Sequence, residues 1–250
     1  MLVLPIYDDN PATRPAFVTW GLIGACILAY LWQTGLGPDA GQAAVMGLGM
    51  IPAVLTGEGE LAPELYLLPG WATLFTSMFL HGGIAHLAGN MLFLWIFGNN
   101  VEDAMGALRY LVFYLLCGVA AALAQTLADP TSEVPMIGAS GAISGVLGAY
   151  LLLYPRANVR VFLWVIVIVR ILNVPAVIVL GLWFAMQIYS GLSTAAGGGG
   201  VAFWAHAGGF VAGMALIPLF KYAHVPLFHQ PRSQAFSLSR KMPPKRGPWG

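Results

Sequence analysis

Three histidines, an asparagine and two serines stand inside stretches of this chain that are otherwise apolar. They are His81, His86 and Asn90 in "FLHGGIAHLAGNMLFLWIF", Ser140 and Ser144 in "MIGASGAISGVLGAY", and His206 in "FWAHAGGFVAG". A serine hydroxyl is a poor nucleophile until a base takes its proton. A neutral imidazole can take that proton and later return it to a leaving amine. His86 and Asn90, four residues apart, share one helix face. A lone histidine in an apolar run also suits a proton relay or an ion ligand. His81 and His86 could ligate a metal, but no carboxylate or cysteine lies at their depth to complete a site. His81 sits nearer the membrane interface, where structural hydrogen bonding accounts for it. None of the apolar runs contains Asp or Glu, so a Ser-His-Asp triad cannot form among them and any hydrolytic machinery is a dyad. "GASGA" is also not the G-x-S-x-G elbow of soluble hydrolases, because Ala142 replaces the last glycine.

These residues must be positioned by membrane helices. Of 250 residues, 58% are hydrophobic and 8% charged, against about 25% charged in a soluble domain. Roughly 20 apolar residues span a bilayer, and six segments qualify: 16–32, 79–97, 110–127, 140–154, 171–192 and 201–220. The expected fold is an all-α polytopic membrane protein with six transmembrane helices and a long first outer loop. "VFLWVIVIV", residues 161–169, is too short to cross. With six spans, all 11 Lys and Arg fall on one side, which puts both termini in the cytoplasm. Connections 33–78, 128–139 and 193–200 then face out and carry acids but no base. "AVMGLGMIPAVL" in the first is placed in the interface, and "STAAGGGG" reads as a flexible run. The start, with Asp8 and Asp9 before the first apolar run, does not read as a signal peptide. Cys26 and Cys117 lie in apolar runs and read as small buried hydrophobes, not a disulfide framework.

Depth brings three of the polar groups to one level. His86, Ser140 and His206 lie 13, 14 and 15 residues from the inner ends of their spans, taken as Asn99, Tyr154 and Lys221. At 1.5 Å per residue that is about 20–22 Å above the inner boundary, or about 8–10 Å below the outer surface of a 30 Å hydrocarbon layer. The fourth span is short, so its N-terminus, with free N–H groups and a positive dipole end, opens beside Ser140. Gly141, Gly145 and Gly148 on one span, and Ala205, Gly209 and Gly213 on another, form small-residue faces. Such faces ordinarily mean close helix packing, and close packing is what a direct Ser140–His206 hydrogen bond requires.

The motifs "GASGAISGVLGAY", "FLHGGIAHLAGNMLFLWIFGNNVE" and "AHAGGFVAG" together resemble the rhomboid family of intramembrane serine proteases, bacterial type. "DDNPATRPAFVTW" and "LLLYPRANV" add to the resemblance, which covers residues 1–222. It implies a six-helix bundle in which Ser140 is the nucleophile and His206 the base. It implies that His86, Asn90 and the Ser140 N–H form the oxyanion hole, with Gly138, Gly141, His81 and Gly209 in support. It implies no cofactor and no metal, single-span membrane proteins as substrates, no nucleic acid, and a bacterial inner membrane. It also implies a lateral entry gated by the end of the fifth span and the glycine run. Trp71 resembles the family's tryptophan of the membrane-embedded first loop, although Ala72 stands where Arg often follows. Ser144 stands where some members carry a tyrosine that stacks on the catalytic histidine, so His206 needs a different support.

The rival readings are a catalytically inactive relative that binds membrane helices, and a small transporter with a histidine proton relay. The inactive relatives typically lack the Ser or the His, and both are present here. A transporter predicts inverted repeats and intramembrane acids, and neither is seen. Residues 223–250, basic and proline-rich, read as a disordered cytoplasmic tail in which His224 and His229 are solvated.

Overall fold

The computed structural model describes residues 2–165, 167–193 and 202–229. It is mainly helical, as lipid demands, because a helix satisfies its own backbone hydrogen bonds. A strand β1 (Leu2–Asp8) precedes α1 (Phe17–Gly35). The first connection carries α2 (Pro38–Leu48), α3 (Pro52–Thr56) and α4 (Gly70–Thr76). Then come α5 (Ile84–Met105), α6 (Ala107–Ala128) and α7 (Ser140–Leu153). A hairpin of β2 (Asn158–Val165) and β3 (Ile168–Pro175) leads to α8 (Ala176–Ser193) and α9 (Phe203–Phe220).

Among the described residues, α1, α6, α8 and α9 are long and apolar enough to cross a bilayer. The segment from α4 through Phe79 meets α5 at 83°, and the bent pair makes a fifth candidate. The 14 residues of α7 give a shorter apolar helix, about 21 Å long. This set is compatible with six spans in the expected order, with two of them, the second and the fifth, shifted. The second span begins at Ile84, not residue 79, because the chain breaks at 80–83. It runs on to Met105, so Glu102 and Asp103 belong to α5. The fifth helix begins at Ala176, not residue 171.

The reason for the second shift is a three-stranded antiparallel sheet, ordered β1-β2-β3. "VFLWVIVIV" is rich in β-branched residues, which favour a pleated surface. It supplies most of β2 and the start of β3, with Phe162 opposite both Leu4 and Ile171. The sheet is tied to the helix bundle through Asp8. Its Oδ2 accepts from the Tyr150 hydroxyl of α7 at 2.7 Å and from Asn100 Nδ2 of α5 at 2.9 Å. Nearby, buried Glu102 accepts from the N–H groups of Val18 (3.0 Å) and Thr19 (2.8 Å) and from the Thr19 hydroxyl (2.7 Å). It thereby satisfies donors in the first turn of α1 that have no helical partner.

The core is α7, buried on nearly every side between α5, α6, α8 and α9. Around it pack Phe97, Phe113, Tyr114 and Phe210, each at most 2% exposed. The start of the tail joins this end of the bundle. The N–H groups of Phe228 and His229 donate to the carbonyls of Leu152 (2.7 Å) and Leu153 (2.8 Å), at the last turn of α7. His229 is thus half-buried, its ring edge-on to Tyr154, instead of solvated, whereas His224 is exposed. Residues 230–250 and the glycine run 194–200 lie outside the described residues.

Candidate active site

Ser140 is the first residue of α7, delivered by a turn with its own constraints. Gly138 has φ +122°, a region that side chains disfavour. Its N–H donates to the Ser77 carbonyl at 2.8 Å. A Cβ on Gly138 would come within 2.8 Å of the His86 ring, so only glycine lets the loop lie against that histidine. The first N–H on α7 with a helical acceptor is that of Ile143, which reaches Ala139 at 2.9 Å. The N–H groups of residues 140–142 precede it and have no helical acceptor.

His206 sits one turn into α9. The two helices approach as the small-residue faces suggest: a Cβ on Gly209 would overlap the Gly141 carbonyl, and one on Gly213 the Gly145 carbonyl. At that separation His206 Nε2 lies 2.8 Å from Ser140 Oγ. Its other nitrogen, Nδ1, lies 2.8 Å from Gln187 Oε1 on α8. An amide oxygen can only accept, so Nδ1 carries the proton and Nε2 offers its lone pair to the Ser140 hydroxyl.

Ser140 and His206 face a cavity of about 810 Å³ that His86, Asn90, Gly138 and Trp183 also line. Asn90 is 8% exposed, and its Nδ2 has no hydrogen-bond partner among the described residues. A buried donor without a partner is costly, and this one lies 3.5 Å from where a Cβ on Gly138 would stand. His86, in the first turn of α5, accepts a long 3.4 Å contact at Nδ1 from the Gly82 N–H. That leaves its Nε2 as the donor, on the side of Gly138. His81 is fully buried and does not line the cavity. Its ring meets His86 edge-on at 5.2 Å, its Nδ1 lies 3.1 Å from the Phe79 carbonyl, and its backbone exchanges two bonds with Gln33 of α1. It fixes the break before α5.

Two neighbours of His206 were not singled out from the sequence. Gln187 is the only side-chain amide in α8, and that isolation in an apolar helix was the available signal. Trp183, one turn earlier, stands 5.9 Å from the imidazole. Together they fill the role left open by Ser144, whose hydroxyl instead donates to the Ser140 carbonyl at 2.6 Å. Among the described residues, no three His, Cys, Asp or Glu side chains are grouped as metal ligands would be.

The chain resembles several curated proteins. It is 38% identical over 203 residues to Rhomboid protease GluP of Bacillus subtilis (strain 168), covering 81% of this chain and 35% of that protein. It is 30% identical to RHOMBOID-like protein 5 of Arabidopsis thaliana, over 58% of this chain and 43% of the relative. It is 31% identical to Rhomboid-related protein 2 of Mus musculus, over 56% and 44%. The chain thus spans less than half the length of these relatives. The rhomboid domain description matches residues 69–223, the stretch that holds the bent entry to α5, the cavity and the Ser140–His206 contact. A match over more than half of the chain makes this integral membrane protein a member of the rhomboid family.

Proposed function

We propose that the chain is an intramembrane serine endopeptidase that cuts membrane-spanning segments of protein substrates near the outer face. The observation that carries this reading is the 2.8 Å contact between Ser140 Oγ and His206 Nε2 at the wall of the cavity. The proteases among the similar proteins support it.

In this mechanism Ser140 Oγ attacks the substrate carbonyl as its proton passes to His206 Nε2. The carbonyl oxygen becomes an oxyanion and accepts from the Ser140 N–H, Asn90 Nδ2 and His86 Nε2. The imidazolium then protonates the leaving amine, and an ester to Ser140 remains. Water, deprotonated in turn by His206, hydrolyses the ester and restores the hydroxyl. A site about 8–10 Å below the surface of the hydrocarbon lets water arrive. A midplane site would not. The substrate must expose a carbonyl that a helix hides, so helix-weakening residues near the outer end of a single span favour cleavage.

The one-sided basic residues support both termini in the cytoplasm, and the resemblance to bacterial family members supports a bacterial inner membrane. Residues 1–222 form the protease domain and 223–250 a basic appendage. The test is cleavage of a single-span substrate in liposomes, with labelling by a fluorophosphonate probe. Ser140→Ala and His206→Ala should each abolish both while keeping the fold. Full cleavage by either variant would refute the dyad, and an unlabelled wild-type protein that still binds membrane helices would favour the inactive relative.

A further inference from the structure

A histidine that works without a carboxylate has two difficulties. The neutral ring exchanges its proton between Nδ1 and Nε2, and only the Nδ1–H form can accept from serine. The imidazolium that forms must also be stabilised by something other than a negative charge. The surroundings of His206 address both. Gln187 Oε1 lies 2.8 Å from Nδ1, on the opposite side of the ring from Ser140 Oγ at 2.8 Å. Trp183, one turn earlier on the same helix, holds the ring at 5.9 Å.

We infer that Gln187 is the positioning residue of the site, holding His206 in the one tautomer that can deprotonate Ser140. This rests on the protease reading above. Gln187 does no proton chemistry. When Ser140 gives its proton to Nε2, the ring bears two N–H groups and one positive charge. Nδ1–H continues to donate to the amide oxygen, whose partial negative charge faces the cation. When the leaving amine takes the Nε2 proton, the starting tautomer is regenerated, and Gln187 is neutral throughout. A leucine of similar size removes the acceptor. A glutamate keeps it and adds charge.

Both groups that aim the imidazole stand on α8, which is lightly anchored. Its buried side chains, Ala176 and Leu180, lie at its start, while Leu182, Met186 and Tyr189 are exposed. Beyond Leu180 it meets α9 through the Gln187 hydrogen bond, through the aromatic packing of Trp183 and Phe184 on Phe210, at 6.0 and 4.6 Å, and through Gly191 beside Phe203 and Trp204. The base is therefore aimed only while α8 rests on α9.

The test combines nitrogen-15 NMR of histidine-labelled protein in micelles with steady-state cleavage. The chain has only 5 histidines, and His206→Ala identifies the signal of His206. Wild-type His206 should show the Nδ1–H tautomer, and Gln187→Leu a mixture with Nε2–H. Gln187→Leu should lower kcat by about 10²-fold with KM nearly unchanged, and Gln187→Glu should restore most of the rate. An Nε2–H tautomer in the wild-type protein overturns the inference, as does a wild-type kcat in Gln187→Leu while His206→Ala is inactive. Activity in His206→Ala would instead overturn the dyad. Should Gln187→Leu fail to fold, the wild-type tautomer decides.

Discussion

Gly209 on α9 lies so close to the carbonyl of Gly141 on α7 that no Cβ fits between them. This contact brings the two helix backbones together beside Ser140 and one turn from His206. Gly209→Ala should therefore force the helices apart. Overpacking of this kind costs about 1–3 kcal/mol, and cleavage should fall further than the loss of stability explains. Thermal unfolding in detergent and cleavage rate, compared with Gly24→Ala, measure both effects. A Cβ on Gly24 would meet no atom within 4 Å, so that control should match wild type.

Asn90 is expected to act on the reaction more than on binding. Its Nδ2, without a partner among the described residues and beside Gly138, would find its acceptor in the substrate oxygen as charge develops there. Asn90→Ala should lower kcat by about 10²-fold with little change in KM. An unchanged kcat would remove Asn90 from the oxyanion hole.

Acid should switch the reaction off. Only neutral His206 can accept from Ser140, so the rate should decline as pH is lowered and the ring takes up a proton, with full activity at the alkaline side. Initial rates followed from about pH 8 down to about pH 3, on protein shown to stay folded, test this. A flat profile counts against His206 as the base.

Asp8 gives stability its own pH dependence, remote from the cavity. Burial pushes its carboxyl up from 3.8 to about 7, the Tyr150 hydroxyl bond pulls the other way, and Asp9 adds to the rise. The folded protein then holds a proton that the unfolded chain has released, throughout the interval between those values. Stability should fall as pH rises through that interval and level off above it. Asp8→Asn keeps an acceptor for Tyr150 and cannot ionise, so its stability should vary less with pH. Above neutrality it should exceed wild type by on the order of 2–4 kcal/mol. Thermal unfolding on the acid and alkaline sides checks the sign.

The sequence alone determined the helical membrane architecture, because apolar run length against bilayer thickness is a local property. A fixed rise per residue suggested one depth for Ser140, His206 and His86, which the structure brings to one cavity, and the glycine faces announced a close approach of α7 and α9. The sheet escaped that reading. β1 pairs with a hairpin some 150 residues later in the chain, and strand pairing is non-local. Burial of Asp8 and Glu102 escaped for the same reason, since their partners are on other helices. Gln187 escaped because run length says nothing of helix rotation. Which face of α8 meets His206 is decided by the packing of Trp183 and Phe184 on Phe210, and only that packing makes an isolated amide the partner of His206.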